Sequence, residues 1–160
     1  MTLKDLRNII FVLCLALFAT ACDSDILYDE DLTVDEKGWH MDDKLVFNMD
    51  ADDTSSTYLC CFDIRNSNDY PYSNIYLHLT TVYPDGAVAT DTNIQFQLAQ
   101  PDGQWLGRYN GRYVDGRYPF CFFHFPQKGS YQFIVSHAMR DTLLPGVKNI
   151  GITVMNNLKN

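Results

Sequence analysis

The sequence predicts an all-β protein: a single antiparallel β-sandwich, jelly-roll-like and of about eight strands, behind a signal peptide and an acidic tether. Three observations carry this expectation. Apolar residues alternate with polar ones in run after run, the period at which one face of a strand looks inward. Turn-forming dipeptides separate the runs. No window of ten or more residues shows a helical period, and only Ala138 to Leu144 has room for a helical turn before Pro145-Gly146 stops it.

The leader comes first. Lys4 and Arg7 precede the apolar run Ile9 to Ala19, which is followed by the small residues Thr20 and Ala21 and then by Cys22. The run is too short for the ~20 residues that span a bilayer and fits the hydrophobic stretch of a signal peptide. The arrangement resembles the lipobox of bacterial lipoproteins, in which the cysteine is acylated and becomes the first residue; Ala19 stands where leucine is usual. The other reading is an ordinary secreted protein cut near Ala21. Residues 1–21 are assigned to the signal peptide, 22–40 to the tether and 41–160 to the sandwich.

The acidic balance is concentrated near the front. The chain has a net charge of −8, yet twelve of its twenty Asp and Glu lie between Asp23 and Asp53, against Lys37 and Lys44. Nucleic-acid binding is disfavoured, because it needs clustered Lys and Arg. With 46% apolar and 14% aromatic residues, 160 residues support one core.

Strands are expected around Leu45/Phe47/Met49, Tyr58/Cys60/Phe62/Ile64, Ile75/Leu77/Leu79, Ile94/Phe96/Leu98, Tyr131/Phe133/Val135 and Ile150/Ile152/Val154. Tyr118 to Phe125 is apolar at successive positions and reads as a central strand covered on both faces. Turns are expected at Pro84-Asp85-Gly86, Pro101-Asp102-Gly103, Asn110-Gly111, Asp115-Gly116 and Lys128-Gly129. Asn110-Gly111 is the strongest hairpin signal.

Chemistry is sparse. Cys60, Cys61 and Cys121 remain once the leader and Cys22 are set aside. One of the adjacent pair has the option of a disulfide to Cys121 in an oxidising compartment, with Cys61 the candidate. The other reading is three small buried hydrophobes. His40, His78, His124 and His137 lack metal-ligand spacing, and no nucleophile elbow or zinc motif occurs. Asp50, Asp52 and Asp53 lack the glycine and glutamate of a calcium loop. No cofactor, metal or catalytic residue is assigned. Trp39, Tyr70, Tyr72, Tyr76, Trp105 and Tyr109 sit in or beside loops, where aromatics either plug a sandwich end or anchor a partner or sugar.

Three segments go beyond a generic sandwich: Ile64 to Leu77 (IRNSNDYPYSNIYL), Pro101 to Gly107 (PDGQWLG), and His137-Ala138-Met139-Arg140 followed by Gly146-Val147 and Gly151-Ile152. With the lipobox, they resemble the GldH family of gliding-motility lipoproteins from Bacteroidetes. The resemblance implies an envelope lipoprotein of the outer membrane, tied to gliding motility and to the secretion system sharing its machinery. It brings no enzymatic activity or cofactor, and its partners would be the membrane and envelope proteins of that apparatus. A surface carbohydrate-binding module is the alternative. Two readings of the motif residues stand side by side. In one, Arg65, Tyr70, Tyr72, Trp105 and Arg140 form a partner surface. In the other they brace loops, with Arg140 reaching Asp63 or Asp69.

Overall fold

The computed structural model describes residues 26–89 and 92–156, so the leader and Cys22 lie outside the described residues. Eight strands of six residues or more form two antiparallel sheets: β1 (Ile26–Thr33), β3 (Leu45–Ala51), β4 (Thr57–Ser67), β5 (Asn74–Val82), β6 (Thr92–Gln97), β8 (Tyr113–His124), β9 (Gly129–His137) and β11 (Val147–Asn156). Three two-residue strands complete the set: β2 (Trp39–His40), β7 (Arg108–Tyr109) and β10 (Leu143–Leu144).

One sheet runs β1-β11-β4-β8-β7 and the other β3-β9-β5-β6. Counted over the eight long strands alone, the orders are first-eighth-third-sixth and second-seventh-fourth-fifth. That interleaving is the jelly roll, in which two Greek keys wrap two sheets around one core. No helix occurs among the described residues, and Ala138–Leu144 is loop ending in β10, which pairs with β2.

The alternating runs place their apolar sides between the sheets. Phe47, Phe62, Ile75, Leu77, Tyr131, Val135, Ile150 and Val154 are fully buried, and burial of each such side chain contributes about 1.5–3 kcal/mol. Phe62 sits at the centre, with ring centroids 5.6 Å from Phe96 and 4.7 Å from Phe120.

Four expectations need correction. Residues 26–33, expected as part of a tether over 22–40, instead form β1, which pairs with β11 along its length. Tyr28 and Leu32 pack on the core while Asp29 and Asp31 face outward. The acidic letters that suggested a solvated linker are those of an edge strand, which charges protect from pairing with other chains. Second, Tyr118 to Phe125 is not covered on both faces: β7 reaches only Val114 and Asp115, and Phe122 is 64% exposed. Third, Asp115-Gly116 is no turn but lies within β8, where a Cβ on Gly116 would collide with the Tyr118 ring. Fourth, a bulge between Cys60 and Cys61 sets Cys121 opposite Cys60, not Cys61. Adjacent strand residues face opposite sides, and the register gives Cys61 the partner Pro119, so Cys61 is not placed to bridge to Cys121.

The proline turns form as read. Gly86 and Gly103 take φ of 83° and 87°, and each preceding aspartate accepts from the backbone two residues on, Asp85 from Ala87 at 2.9 Å and Asp102 from Gln104 at 3.0 Å.

Candidate functional site

The loop joining β4 to β5 is built around Tyr70. Its ring is buried, its hydroxyl donates to the Asn74 carbonyl at 2.9 Å, and its N–H donates to the Ser67 carbonyl at 3.2 Å. Ser67 in turn donates its N–H to the Gly146 carbonyl at 2.7 Å, tying this loop to the turn before β11. Tyr70 is therefore a plug and not part of an exposed surface. Burial first, then the nearby Tyr72 and Asp141, push its phenol pKa well up.

Tyr72 stands on that plug. Its ring packs edge-on against Tyr70 at 5.8 Å, and its hydroxyl donates to Asp141 at 2.6 Å. Tyr76 alternates outward on β5 and is 38% exposed. Its N–H donates to the Met139 sulfur at 3.3 Å, and its carbonyl accepts from Ala138 at 2.8 Å. Tyr72, Tyr76, Ala138, Met139 and Arg140 line one depression of about 370 Å³. Of the five residues read from the sequence as a partner surface, Tyr72 and Arg140 come together here. Tyr76 and Met139, which the sequence reading left outside that set, join them; the alternation along β5 was the available signal for Tyr76.

The remaining two are fasteners. Trp105 donates its indole N–H to Asn68 at 2.9 Å, pinning the β6–β7 connection to the Tyr70 loop. Arg65 points out from β4 and donates to Asp115 of β8 at 2.5 Å. Arg140 is not the bracing arginine. Asp63 is held bidentately by Arg117, at 2.6 and 3.0 Å, while Arg140 lies beside Tyr72.

Arg117 belongs to a lattice on the outer face of the first sheet. It lies 3.7 Å from Asp29, and the Thr153 hydroxyl donates to Asp63. The lattice rims a shallow depression of about 470 Å³ that also takes in Asp31, Arg65, Arg108 and Asp115. Burial first, then Asp63 and Asp29, push the Asp31 carboxyl above its usual range, against Arg65 and Arg117. Asp31, Asp63 and Asp115 share the depression with Arg65, Arg108 and Arg117, so the face largely neutralises itself and braces the sheet.

Other titratable groups have structural partners. Asp53 accepts from Ser55 and Tyr58, and the Ser55 bonds hold its carboxyl below the usual range. Cys60 and Cys121 share a hydrogen bond that raises the Cys60 thiol and lowers that of Cys121. His137 is buried against Trp39, itself 1% exposed, so Trp39 is core and not a surface aromatic. Among the described residues no group of three His, Cys, Asp or Glu is placed to hold a metal.

The segments that carry these features lie within a stretch, residues 26–154, that matches the model of the GldH lipoprotein family. The chain belongs to the GldH lipoprotein family. A gliding motility lipoprotein GldH homolog of Christiangramia forsetii is 31% identical over 153 residues, covering 91% of this chain and 92% of its own. The gliding motility lipoprotein GldH of Flavobacterium johnsoniae is 29% identical over 152 residues, with 92% of each chain covered. Among solved structures, an insecticidal delta-endotoxin of Bacillus thuringiensis overlaps 70% of this chain and 18% of its own, at TM-score 0.41 and 15% identity. The VP2 subviral particle of infectious bursal disease virus overlaps 81% and 32%, at TM-score 0.41 and 10% identity. As a GldH lipoprotein, the protein is a lipid-anchored component of the cell envelope.

Proposed function

We propose that the protein is acylated at Cys22, sits on the outer membrane, and acts there as a non-enzymatic docking component linked to gliding motility and its associated secretion machinery. The names of its relatives support the motility link. The Lys4–Ala21 leader ahead of Cys22 supports the anchor. On this reading residues 1–21 are the signal peptide, 22–25 the tether, and the sandwich begins at Ile26.

The observation that carries the docking role is the cluster of exposed Tyr72, Tyr76 and Arg140 around half-buried Met139, with Tyr72 seated on buried Tyr70. Tyr and Arg dominate interface hot spots, because they offer large area and directed hydrogen bonds at modest ordering cost. Support from a buried plug reduces that cost further. The partner expected is an envelope protein of the gliding and secretion apparatus.

The test is site-specific photocrosslinking in the host envelope, with the crosslinker at position 72 and, as control, at Tyr109, which is 52% exposed. Adducts to apparatus proteins from position 72, lost when Arg140 becomes Glu, are expected. Equal adducts from both positions would sink the docking role. Envelope polysaccharide captured by the native chain and released by Tyr72→Ala would replace it with the carbohydrate-binding module.

A further inference from the structure

The outer face of the first sheet changes character along its strands. At the end where β1 begins, Ile26 stands opposite Met155, Met155 opposite Leu59, and Leu59 opposite Phe122. These four form one row across four strands, with no charged side chain in it. Ile26 is 39% and Phe122 64% exposed, and Leu27, set out by a bulge beside Ile26, is 44% exposed. The next outward row is Asp29, Thr153, Cys61 and Pro119, and the charged lattice begins there, with Asp29. The face thus grades from apolar to ionic over a few residues.

We infer that this apolar row is a membrane-contact surface, lying against the lipid headgroups and upper acyl chains of the leaflet that holds the anchor. The inference rests on acylation at Cys22. Ile26 follows Cys22 by four residues, a reach of at most ~14 Å for fully extended chain. A folded partner of about 100 residues has a radius of gyration of ~13 Å. Such a body does not fit between the row and the bilayer, whereas the bilayer itself does. Aromatic and aliphatic side chains backed by a polar zone are what the interface accepts. The acidic segment beside the row favours a zwitterionic lipid surface over an anionic one.

The test uses the lipidated full chain in phosphatidylcholine vesicles carrying acyl-brominated phosphatidylcholine. Phe122→Trp reports at the row, and Tyr109→Trp reports at the other end of the sandwich, with Trp39 and Trp105 common to both. Vesicle flotation is measured on the same samples. The expected result is flotation of both variants, with added quenching and a blue shift for Phe122→Trp alone. Flotation with equal quenching at the two positions would overturn the membrane contact while leaving the anchor standing, and would return the row to a protein partner. Flotation no better than that of Cys22→Ala would overturn the anchor and the contact together.

Discussion

Two glycines with nearly the same backbone conformation are predicted to respond very differently to alanine. Gly146 has φ of 84° and Gly103 has φ of 87°, in the left-handed region that costs an L-residue about 1–2 kcal/mol. Alanine also restricts the unfolded chain, which returns ~0.4–1 kcal/mol. At Gly103 nothing lies within 4 Å of an added Cβ, so the net cost of Gly103→Ala is roughly 0–1.5 kcal/mol. At Gly146 the added Cβ would lie 2.7 Å from the Tyr70 Cα and 2.9 Å from its backbone nitrogen. Backbone yields less readily than a flexible side chain, and crowding of this kind adds ~1–3 kcal/mol. The 2.7 Å bond from Ser67 to Gly146 is strained by the same displacement. Gly146→Ala is therefore expected to cost ~2–4 kcal/mol. With m of about 1–3 kcal/mol/M for a small domain, the crowding cost of ~1–3 kcal/mol should put its urea midpoint about 1 M, within a range of ~0.3–3 M, below that of Gly103→Ala. Tryptophan emission follows the transition, since Trp39 is buried. Because Tyr70 carries Tyr72, position-72 crosslinking should weaken in Gly146→Ala and not in Gly103→Ala. Coincident midpoints would show that the Tyr70 loop is not locked by this approach.

His137 gives a pH-dependent test. Its Nε2 donates to the Trp39 carbonyl at 3.0 Å and its Nδ1 has no partner, so a proton added at Nδ1 enters a dry site. Burial foremost, with His40 adding, depresses the pKa against the Trp39 bond and Asp141. A histidine depressed in the folded state takes up its proton first in the unfolded chain. Its contribution is constant above the unfolded value of ~6.5 and is lost as pH falls from there toward the folded value. His137→Gln, which keeps a donor for Trp39, should lose less stability between neutral and mildly acidic pH than the native chain. Parallel pH profiles would refute this. For the lattice, a double-mutant cycle of Asp63→Asn and Arg117→Met should give a coupling of about 1 kcal/mol. That is the upper end for partly exposed pairs, because the contact is bidentate, and it should shrink at high salt. Zero coupling would remove the bracing role assigned to this face.

The sandwich was legible because the pattern that defines it is local. Six runs with period two became strands, and the aspartates and glycines of both proline turns took their expected roles. What failed was what neighbours decide. β1 was hidden because an edge strand can carry acids at most positions once two apolar residues, Tyr28 and Leu32, reach the core. Gly116 read as a turn because only the Tyr118 ring, folding over it, explains a glycine in mid-strand. The Cys60–Cys121 juxtaposition depends on a bulge that no spacing announces. Of the motif residues, Trp105 bonds to Asn68 and Arg65 to Asp115, contacts of the kind the bracing reading describes. Arg140 does not brace Asp63, because Arg117 on the adjoining strand reaches it first. Shared motifs grouped five residues that the fold divides between a plug, two braces and a depression.

The placement of the two proposed surfaces follows from one strand. β4 starts beside the apolar row, at Thr57 to Leu59, and ends at Ser67, where the Tyr70 loop begins. Eleven residues make ten steps of ~3.2–3.4 Å, a span of ~32–34 Å. The row that faces lipid and the depression formed by Tyr72 and Arg140 thus occupy opposite ends of the sandwich. Between them lies the ion-pair lattice, which stiffens the sheet that joins the ends. A short tether that keeps the first end against the leaflet would hold the second end roughly one sandwich length away from it. A flexible tether as long as residues 22–40 would let the domain tumble and would spread Tyr72 over all orientations. Pairing of β1 into the sheet would remove most of that freedom, and on the proposed docking role a partner would meet the depression already oriented. Insertion of a flexible glycine–serine segment between Cys22 and Ile26 should leave folding and flotation intact. It should reduce both the lipid quenching of Phe122→Trp and crosslinking at position 72. Retention of both would show that the short tether has no orienting role.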